Sequence, residues 1–181
     1  MFRWISILTL ACLSVLTPLS GAEVPRPLPN YTVKLPSGQQ IPLSSYRGKV
    51  VALLFVSTTC PHCQETCRLM SSLQKEYGPR GFETVAVAFN PMARMLVPEF
   101  VQKSGATFPV GYDEWGSVAA FLQHPPMLQP YVPMVVFIDR QGVIRGQHMG
   151  DDSFFGAQEK NIRSMIETLL KAPAAAKKSA R

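Results

Sequence analysis

An apolar segment that runs almost directly into two closely spaced cysteines constrains the fold of this chain more than any other feature. Val50–Val56 contains no polar residue, which is expected of a central β-strand covered by helices on both faces. The motif Cys60-Pro-His-Cys63 follows after three residues. Pro61 suits the first position of a helix, because that position needs no N–H donor. The sequence therefore predicts a strand, a turn and a helix, with a C-x-x-C motif where the helix begins.

This position of the motif favours redox chemistry. At the N-cap, the sulfur of Cys60 faces unpaired backbone N–H groups and the positive end of the helix dipole, which favour a thiolate over a neutral thiol. Cys63 lies one turn into the helix, on the face that packs against the core. We expect Cys60 to be the accessible nucleophile that attacks a disulfide and Cys63 to be the resolving thiol. His62 is expected to stabilise the Cys60 thiolate further, when it is protonated or donates to the sulfur.

The rest of the chain alternates strand-like and helix-like patterns. Strands are predicted at residues 31–35, 40–43, 50–56, 82–89, 107–112, 134–139 and 143–149, and helices at residues 61–77, 93–103, 116–123 and 158–171. The first two strands flank Pro-Ser-Gly turn residues and so form a hairpin. The later order indicates parallel β–α–β units, an antiparallel hairpin and a final helix. We predict an α/β fold with a mixed central sheet flanked by helices and an N-terminal β-hairpin extension.

These motifs resemble the thioredoxin superfamily. Cys60-Pro-His-Cys63 stands where that superfamily has its active site, and the wider pattern is similar to the exported TlpA/ResA group. The segments that carry this similarity are "YTVKLPSGQQIPLSSYRGK", "GFETVAVAF", "ATFPVGYD" and "YVPMVVFIDRQGVI". The resemblance covers residues 31–170 and implies a thioredoxin-like fold and thiol–disulfide oxidoreductase activity. It also implies that Pro133 is a cis-proline lying against the dithiol on the substrate side.

The loop before Pro133 is a second candidate contact with substrate. Residues 123–132 are rich in proline, and Met127, Leu128 and Tyr131 are expected to be exposed. Together with Val132, they could form an apolar groove for an extended partner, or they could simply fill the loop. We predict Tyr131 and Val132 as substrate-binding residues.

The direction of the reaction stays open between reductase and oxidase. The body of the chain resembles reductases. The Pro-His dipeptide, and a valine before the cis-proline, instead resemble the strongly oxidising DsbA group. Potentials from thioredoxin to DsbA span about 150 mV, or about 7 kcal/mol for two electrons. No cofactor is expected, because the dithiol itself carries the two electrons.

Cys67 is expected to pack in the core, because it shares an apolar stripe with Met70 and Leu73 and free cysteine buries readily. Two alternatives from other classes remain. The Cys63-x-x-x-Cys67 spacing resembles the copper site of Sco-type proteins, which also use a distant histidine. His124 and His148 are the candidates for it, although neither stands just before the late strand. The segment "STTC" resembles the Thr-x-x-Cys of peroxiredoxin-type peroxidases. We predict no metal site.

The N-terminus has the pattern of an export signal. Arg3 is followed by an uncharged, mostly apolar run, and the small residues Ser20 and Ala22 occupy the −3 and −1 positions of a cleavage site. We predict residues 1–22 to be a signal peptide and the mature protein to be periplasmic or otherwise exported, where disulfides persist. A retained N-terminal anchor is the alternative, and weak membrane association is expected only in that case.

Residues 23–171 are predicted to form one thioredoxin-like domain, and residues 172–181 a disordered tail that lacks the apolar content to fold. The net charge of +6 comes largely from the signal and the tail. The body of the chain is near neutral, which argues against a nucleic-acid partner. The expected partners are protein substrates with cysteines and a redox partner protein, and the chain is expected to be a monomer.

Overall fold

The computed structural model describes residues 22–128 and 130–172. The predicted signal peptide up to residue 21 and the predicted tail from residue 173 onward lie outside the described residues. The strands are β1 (Arg26–Pro27), β2 (Thr32–Lys34), β3 (Gln40–Pro42), β4 (Val50–Val56), β5 (Phe82–Ala88), β6 (Val110–Tyr112), β7 (Met134–Ile138) and β8 (Val143–His148). The helices are α1 (Pro61–Tyr77), α2 (Ala93–Ser104), α3 (Trp115–Leu122) and α4 (Gln158–Lys171), with short 3-10 helices at Leu43–Tyr46, Gly78–Arg80 and Ser153–Ala157.

The strands form one mixed sheet in the order β1-β8-β7-β4-β5-β6-β2-β3. Strands β4, β5 and β6 are parallel, whereas β7 pairs antiparallel with β4 and with β8. The predicted parallel units, the late antiparallel hairpin and the mixed sheet are therefore confirmed. Among the described residues, no helix is both long and apolar enough to cross a membrane.

Strand β4 is apolar throughout because it is buried on both faces. Alternate residues of β4, including Leu54 and Val56, pack on the face that carries α1 and α4. The residues between them, including Phe55, pack on the opposite face with α3. The predicted stripe of α1 is at most 2% exposed; its members are Cys63, Cys67, Met70, Leu73 and Tyr77. Packing on both faces of β4 therefore holds the end of this strand, and with it the start of α1, in the middle of the molecule.

The N-terminal hairpin extends the sheet beyond β6. Strands β2 and β3 pair antiparallel, with Val33 opposite Ile41, and β2 joins the edge of β6. Gly111 permits this contact, because a Cβ atom there would lie 2.7 Å from the carbonyl oxygen of Lys34 and would also meet the Val33 side chain. An ion pair of 3.1 Å between Lys34 and Asp113 adds to the junction.

Among the differences between the structure and the predicted elements, three have a clear physical reason. Strand β1 was not predicted, because two residues that include a proline carry no periodicity; buried Arg26 holds it by donating to the Phe121 carbonyl at 3.1 Å. Strand β6 is shorter than predicted, since Pro109 has no N–H to donate to a ladder. Helix α3 ends at Leu122 because Gln123 takes a left-handed conformation, with φ of 52°.

Candidate active site

Cys60 is the N-cap residue of α1, as predicted. Its backbone is extended, with φ of −89° and ψ of 117°, and Pro61 follows at the start of the helix. The Cys60 Sγ atom accepts a hydrogen bond from the backbone N–H of Cys63 at 3.2 Å. The sulfur thus takes the place of the oxygen acceptor that usually caps a helix, and it lies at the positive end of the helix dipole.

The two cysteines of the motif differ sharply in exposure. Cys60 is partly exposed, whereas Cys63 is fully buried, and both are free thiols. Burial raises the pKa of the Cys63 thiol far above its ordinary value, and the hydrogen bond to Cys60 raises it further. A hydrogen bond from the backbone of Ser57 acts in the opposite direction on that pKa. Cys63 is therefore a protonated thiol at neutral pH, lying behind an accessible Cys60.

A tight turn connects β4 to Cys60. The backbone N–H of Cys60 donates to the carbonyl oxygen of Ser57 at 3.2 Å. Thr58 in this turn is only 8% exposed, and both of its polar groups bind the side chain of Asn90. The Asn90 Oδ1 atom accepts the N–H of Thr58 at 2.8 Å, and Asn90 Nδ2 donates to Thr58 Oγ1 at 2.9 Å.

Asn90 was missed by the sequence analysis. It lies two residues beyond the end of β5, which is the parallel neighbour of β4. The carboxyl ends of parallel strands meet at one edge of a sheet. The sequence signal that could have identified Asn90 was therefore a polar residue just beyond the strand that pairs with the C-x-x-C strand.

The peptide bond between Val132 and Pro133 is cis, as the resemblance implied. Pro133 directly precedes β7, and the first residue of β7, Met134, pairs with Phe55 near the end of β4. The structure thus brings Pro133 to the same end of the sheet as the dithiol. Tyr131 lies outside this contact and is 56% exposed.

A cavity of about 240 Å³ adjoins the motif. It is lined by His62, Glu65, Thr66, Val132, Pro133, Gly150, Phe155 and Gln158. The hydroxyl of buried Thr66 donates to Gln158 Oε1 at 3.0 Å. The cavity is thus polar on the α1 side and mostly apolar on the Pro133 side.

His62 lies at the mouth of this cavity. Its side chain is 83% exposed, and its Nδ1 atom lies 3.4 Å from Glu65 Oε2. The ring contacts a carboxylate one turn along α1, which the sequence analysis had not paired with it.

Gly150 supports the cis-proline loop. Its N–H donates to the Tyr131 carbonyl at 2.9 Å. A Cβ atom at Gly150 would lie 2.6 Å from that carbonyl oxygen and 2.8 Å from the backbone nitrogen of Val132. Since these are backbone atoms of a packed loop, they cannot easily shift to make room for an added methyl group.

Gly150→Ala is accordingly expected to lower the free energy of unfolding by about 1–3 kcal/mol, in the range of other overpacking changes. It is also expected to reduce the rate of disulfide exchange, because the added methyl group would displace Val132 and Pro133. Gly116→Ala is the matched control, because nothing lies within 4 Å of the position of its Cβ atom. Urea unfolding and an exchange assay would measure both effects. Equal stability and activity in the two variants would contradict this account of Gly150.

Cys67 packs in the core, as predicted. It is fully buried beneath Cys63 on the α1 stripe. Burial raises the pKa of Cys67 to about 12, although Arg68 pulls in the opposite direction.

The histidines considered as distant metal ligands have other contacts. His148 Nδ1 lies 2.9 Å from Asp152 Oδ2, and its ring stacks on Phe154 at 3.8 Å between centroids. The His124 ring packs edge-on against Trp115. Within residues 22–128 and 130–172, no three His, Cys, Asp or Glu residues are grouped so that they could hold a metal ion.

A mixed sheet with a C-x-x-C dithiol at the N-terminus of the first long helix defines a thioredoxin-like thiol–disulfide oxidoreductase. Residues 24–147 match the AhpC/TSA family, and the chain belongs to that family.

Curated relatives agree with this class. The chain is 29% identical over 140 residues to thiol-disulfide oxidoreductase ResA of Halalkalibacterium halodurans, covering 77% of this chain and 73% of the relative. It is 30% identical over 132 residues to the thioredoxin-like protein YneN of Bacillus subtilis, covering 72% of this chain and 74% of the relative.

Solved structures share the fold. A thiol:disulfide interchange protein of the thioredoxin family from Chlorobium tepidum superimposes with a TM-score of 0.66 at 24% identity, covering 81% of this chain and 97% of that chain. A secreted Mycobacterium tuberculosis disulfide oxidoreductase, homologous to DsbE of E. coli, gives a TM-score of 0.60 at 19% identity, covering 77% and 96%.

Proposed function

We propose that this protein exchanges a Cys60–Cys63 dithiol or disulfide with cysteines of protein substrates outside the cytosol. The observation that carries the proposal is the asymmetry of the two thiols. Cys60 is partly exposed at the positive end of α1, and Cys63 is fully buried directly behind it. An accessible sulfur at the N-terminus of a helix, backed by a protected thiol, is the arrangement that disulfide exchange requires.

In the reducing direction, the Cys60 thiolate attacks one sulfur of a substrate disulfide. A bond forms between Cys60 Sγ and that sulfur, the substrate disulfide breaks, and the other substrate sulfur leaves as a thiolate that takes a proton. Cys63 then loses its proton and attacks Cys60 Sγ. The second substrate thiolate leaves, and the protein retains the Cys60–Cys63 disulfide. The oxidising direction is the same sequence in reverse, and a redox partner protein restores the starting state in either case.

Pro133, Val132 and Tyr131 are proposed to contact the substrate. Val132 and Pro133 form the apolar side of the cavity that His62 borders. Tyr131, Met127 and Leu128 continue as exposed side chains along the preceding loop. A substrate chain next to the reacting sulfur would thus meet an apolar wall on one side and the polar groups of α1 on the other.

His62 is proposed to adjust the potential of the couple, and Pro61 to fix the start of α1. An imidazolium ring within one turn of Cys60 stabilises the thiolate, which exists only in the reduced state, and so makes the protein more oxidising. The Glu65 carboxylate lies 3.4 Å from the ring and attracts it away from the sulfur.

Export is proposed from the signal-like pattern of residues 1–22. It is supported by the description of one structural neighbour, the Mycobacterium tuberculosis disulfide oxidoreductase, as secreted. The working unit is proposed to be a monomer.

The order in which the thiols react tests the assignment of roles. Reduced protein, treated briefly with iodoacetamide at mildly acidic pH and analysed by peptide mass spectrometry, is expected to carry the label on Cys60 at least about tenfold more than on the other thiols. Because burial raises the pKa of Cys67 to about 12, that thiol stays protonated through the neutral range. Its labelling should therefore stay low as the pH is raised to neutrality.

Protein unfolded in urea is the control, and Cys60, Cys63 and Cys67 should then react at similar rates. Preferential labelling of Cys63 or Cys67 in the folded protein would overturn the assignment.

A further inference from the structure

We propose that Asn90 is a positioning residue for the resolving step, holding in place the turn at Ser57 and Thr58 that joins β4 to the two cysteines. The inference rests on the proposed function, since it concerns the second half of the exchange reaction.

The contacts of Asn90 continue the sheet beyond its last regular pair. The final ladder bond between the two strands runs from the Phe89 N–H to the Val56 carbonyl at 3.3 Å. The Asn90 amide then accepts the Thr58 N–H at 2.8 Å and donates to the Thr58 hydroxyl at 2.9 Å. The Asn90 side chain thus supplies both an acceptor and a donor, as a strand backbone would, at a position where β5 has already ended.

The turn that Asn90 holds contacts Cys60 directly, since the Ser57 carbonyl accepts the Cys60 N–H at 3.2 Å. The backbone of Ser57 also acts to lower the pKa of the Cys63 thiol, against the effect of burial. Thr58 is the next residue and is nearly buried, so its position determines the position of Ser57. Without Asn90, the N–H and hydroxyl of Thr58 would lose their partners, and the turn would rearrange to reach water.

The two steps of exchange depend on this turn to different degrees. The Cys60 sulfur is held by α1 itself, through the Cys63 N–H at 3.2 Å and its place at the positive end of the helix dipole. Cys63 must also lose its proton before it can attack, and burial opposes this. The backbone of Ser57 acts to lower the pKa of the Cys63 thiol and so favours this step. Loss of Asn90 should therefore slow resolution much more than the initial attack.

The reaction with dithiobis(nitrobenzoate) separates the two steps. Attack by Cys60 releases one nitrothiobenzoate and leaves the other bound as a mixed disulfide. Attack by Cys63 on Cys60 Sγ releases the second and forms the Cys60–Cys63 disulfide. Asn90→Ala is expected to change the first phase by less than about twofold, to slow the second about tenfold, and to move the pH profile of the second phase to higher pH.

Two further variants make the test specific. Thr58→Val removes only the hydroxyl contact and should slow the second phase less than Asn90→Ala, and the double variant should match Asn90→Ala because the two share one interaction. Gln74→Ala is the matched control. Its amide binds the β5 backbone at the opposite end, accepting the Thr84 N–H at 2.6 Å and donating to the Phe82 carbonyl at 3.3 Å. It should leave both phases at the parental rate.

The outcomes are distinguishable. A second phase with parental rate and pH profile in Asn90→Ala would overturn the positioning role, as would equal slowing in Gln74→Ala. If Asn90→Ala does not fold, as judged by circular dichroism, a parental second phase in Thr58→Val would overturn the role instead. Failure of the parental protein to release two equivalents through Cys60 and Cys63 would refute the proposed function itself.

Discussion

Cys60→Ser is expected to lower the rate of disulfide exchange by roughly three orders of magnitude or more, because a serine hydroxyl is not ionised at neutral pH and cannot form the mixed disulfide. The fold should be unaffected, since serine can cap α1 with its own oxygen at the position where the Cys60 sulfur now accepts the Cys63 N–H. The effect would be measured by reducing a disulfide-bonded protein substrate and monitoring the substrate's loss of activity or its precipitation.

Cys67→Ala is the matched control for that variant. Cys67 lies one turn beyond Cys63 along α1 and is fully buried among core residues. Its loss should cost about 1 kcal/mol of stability, as for other small reductions of buried volume, and should keep the exchange rate within about threefold. A Cys67→Ala variant as inactive as Cys60→Ser would contradict the assignment and would favour the copper-binding hypothesis for Cys63 and Cys67.

Cys63→Ala is expected to convert the enzyme into a trap for its substrates. Cys60 can still attack, but no buried thiol remains to release the mixed disulfide, so turnover should fall about 100-fold or more while the covalent complex accumulates. Intact-mass spectrometry after mixing with a disulfide-bonded peptide would show an adduct on Cys60. Parental turnover without an adduct would mean that an external thiol, and not Cys63, completes the reaction.

The elements that could be predicted are those with strong local signals. Helix α1 begins at Pro61 and ends at Tyr77, as predicted, because a proline marks its start and a buried stripe runs along its length. Strand β4 was equally clear, since burial on both faces leaves an uninterrupted apolar run.

The parts that escaped prediction depend on contacts between residues far apart in the chain. Thr66 and Gln158 are 92 residues apart and meet only at the cavity wall. Asn90 binds Thr58 across 32 residues, because the strands they follow are parallel neighbours. A polar residue just beyond a strand is a local signal, but strand order and register decide which turn its side chain will face.

His62 shows a limit of a different kind. Its place beside the dithiol could be predicted from the motif, but its partner could not, because Cys60 and Glu65 both lie within one turn. The structure places the ring 3.4 Å from Glu65, a partner that the motif alone does not indicate.

The redox equilibrium of the full chain with glutathione tests most directly whether Cys60 and Cys63 form the working couple. Protein equilibrated with mixtures of reduced and oxidised glutathione would be quenched with acid, alkylated and mapped by peptide mass spectrometry. We predict a single two-electron transition in which Cys60 and Cys63 form one disulfide while Cys67 stays a thiol, with no such transition in Cys60→Ser. A midpoint near about −270 mV would indicate a thioredoxin-like reductase, and one near about −120 mV a DsbA-like oxidase. A disulfide that includes Cys67, or a lasting glutathione adduct on Cys60 without a bond to Cys63, would contradict the account.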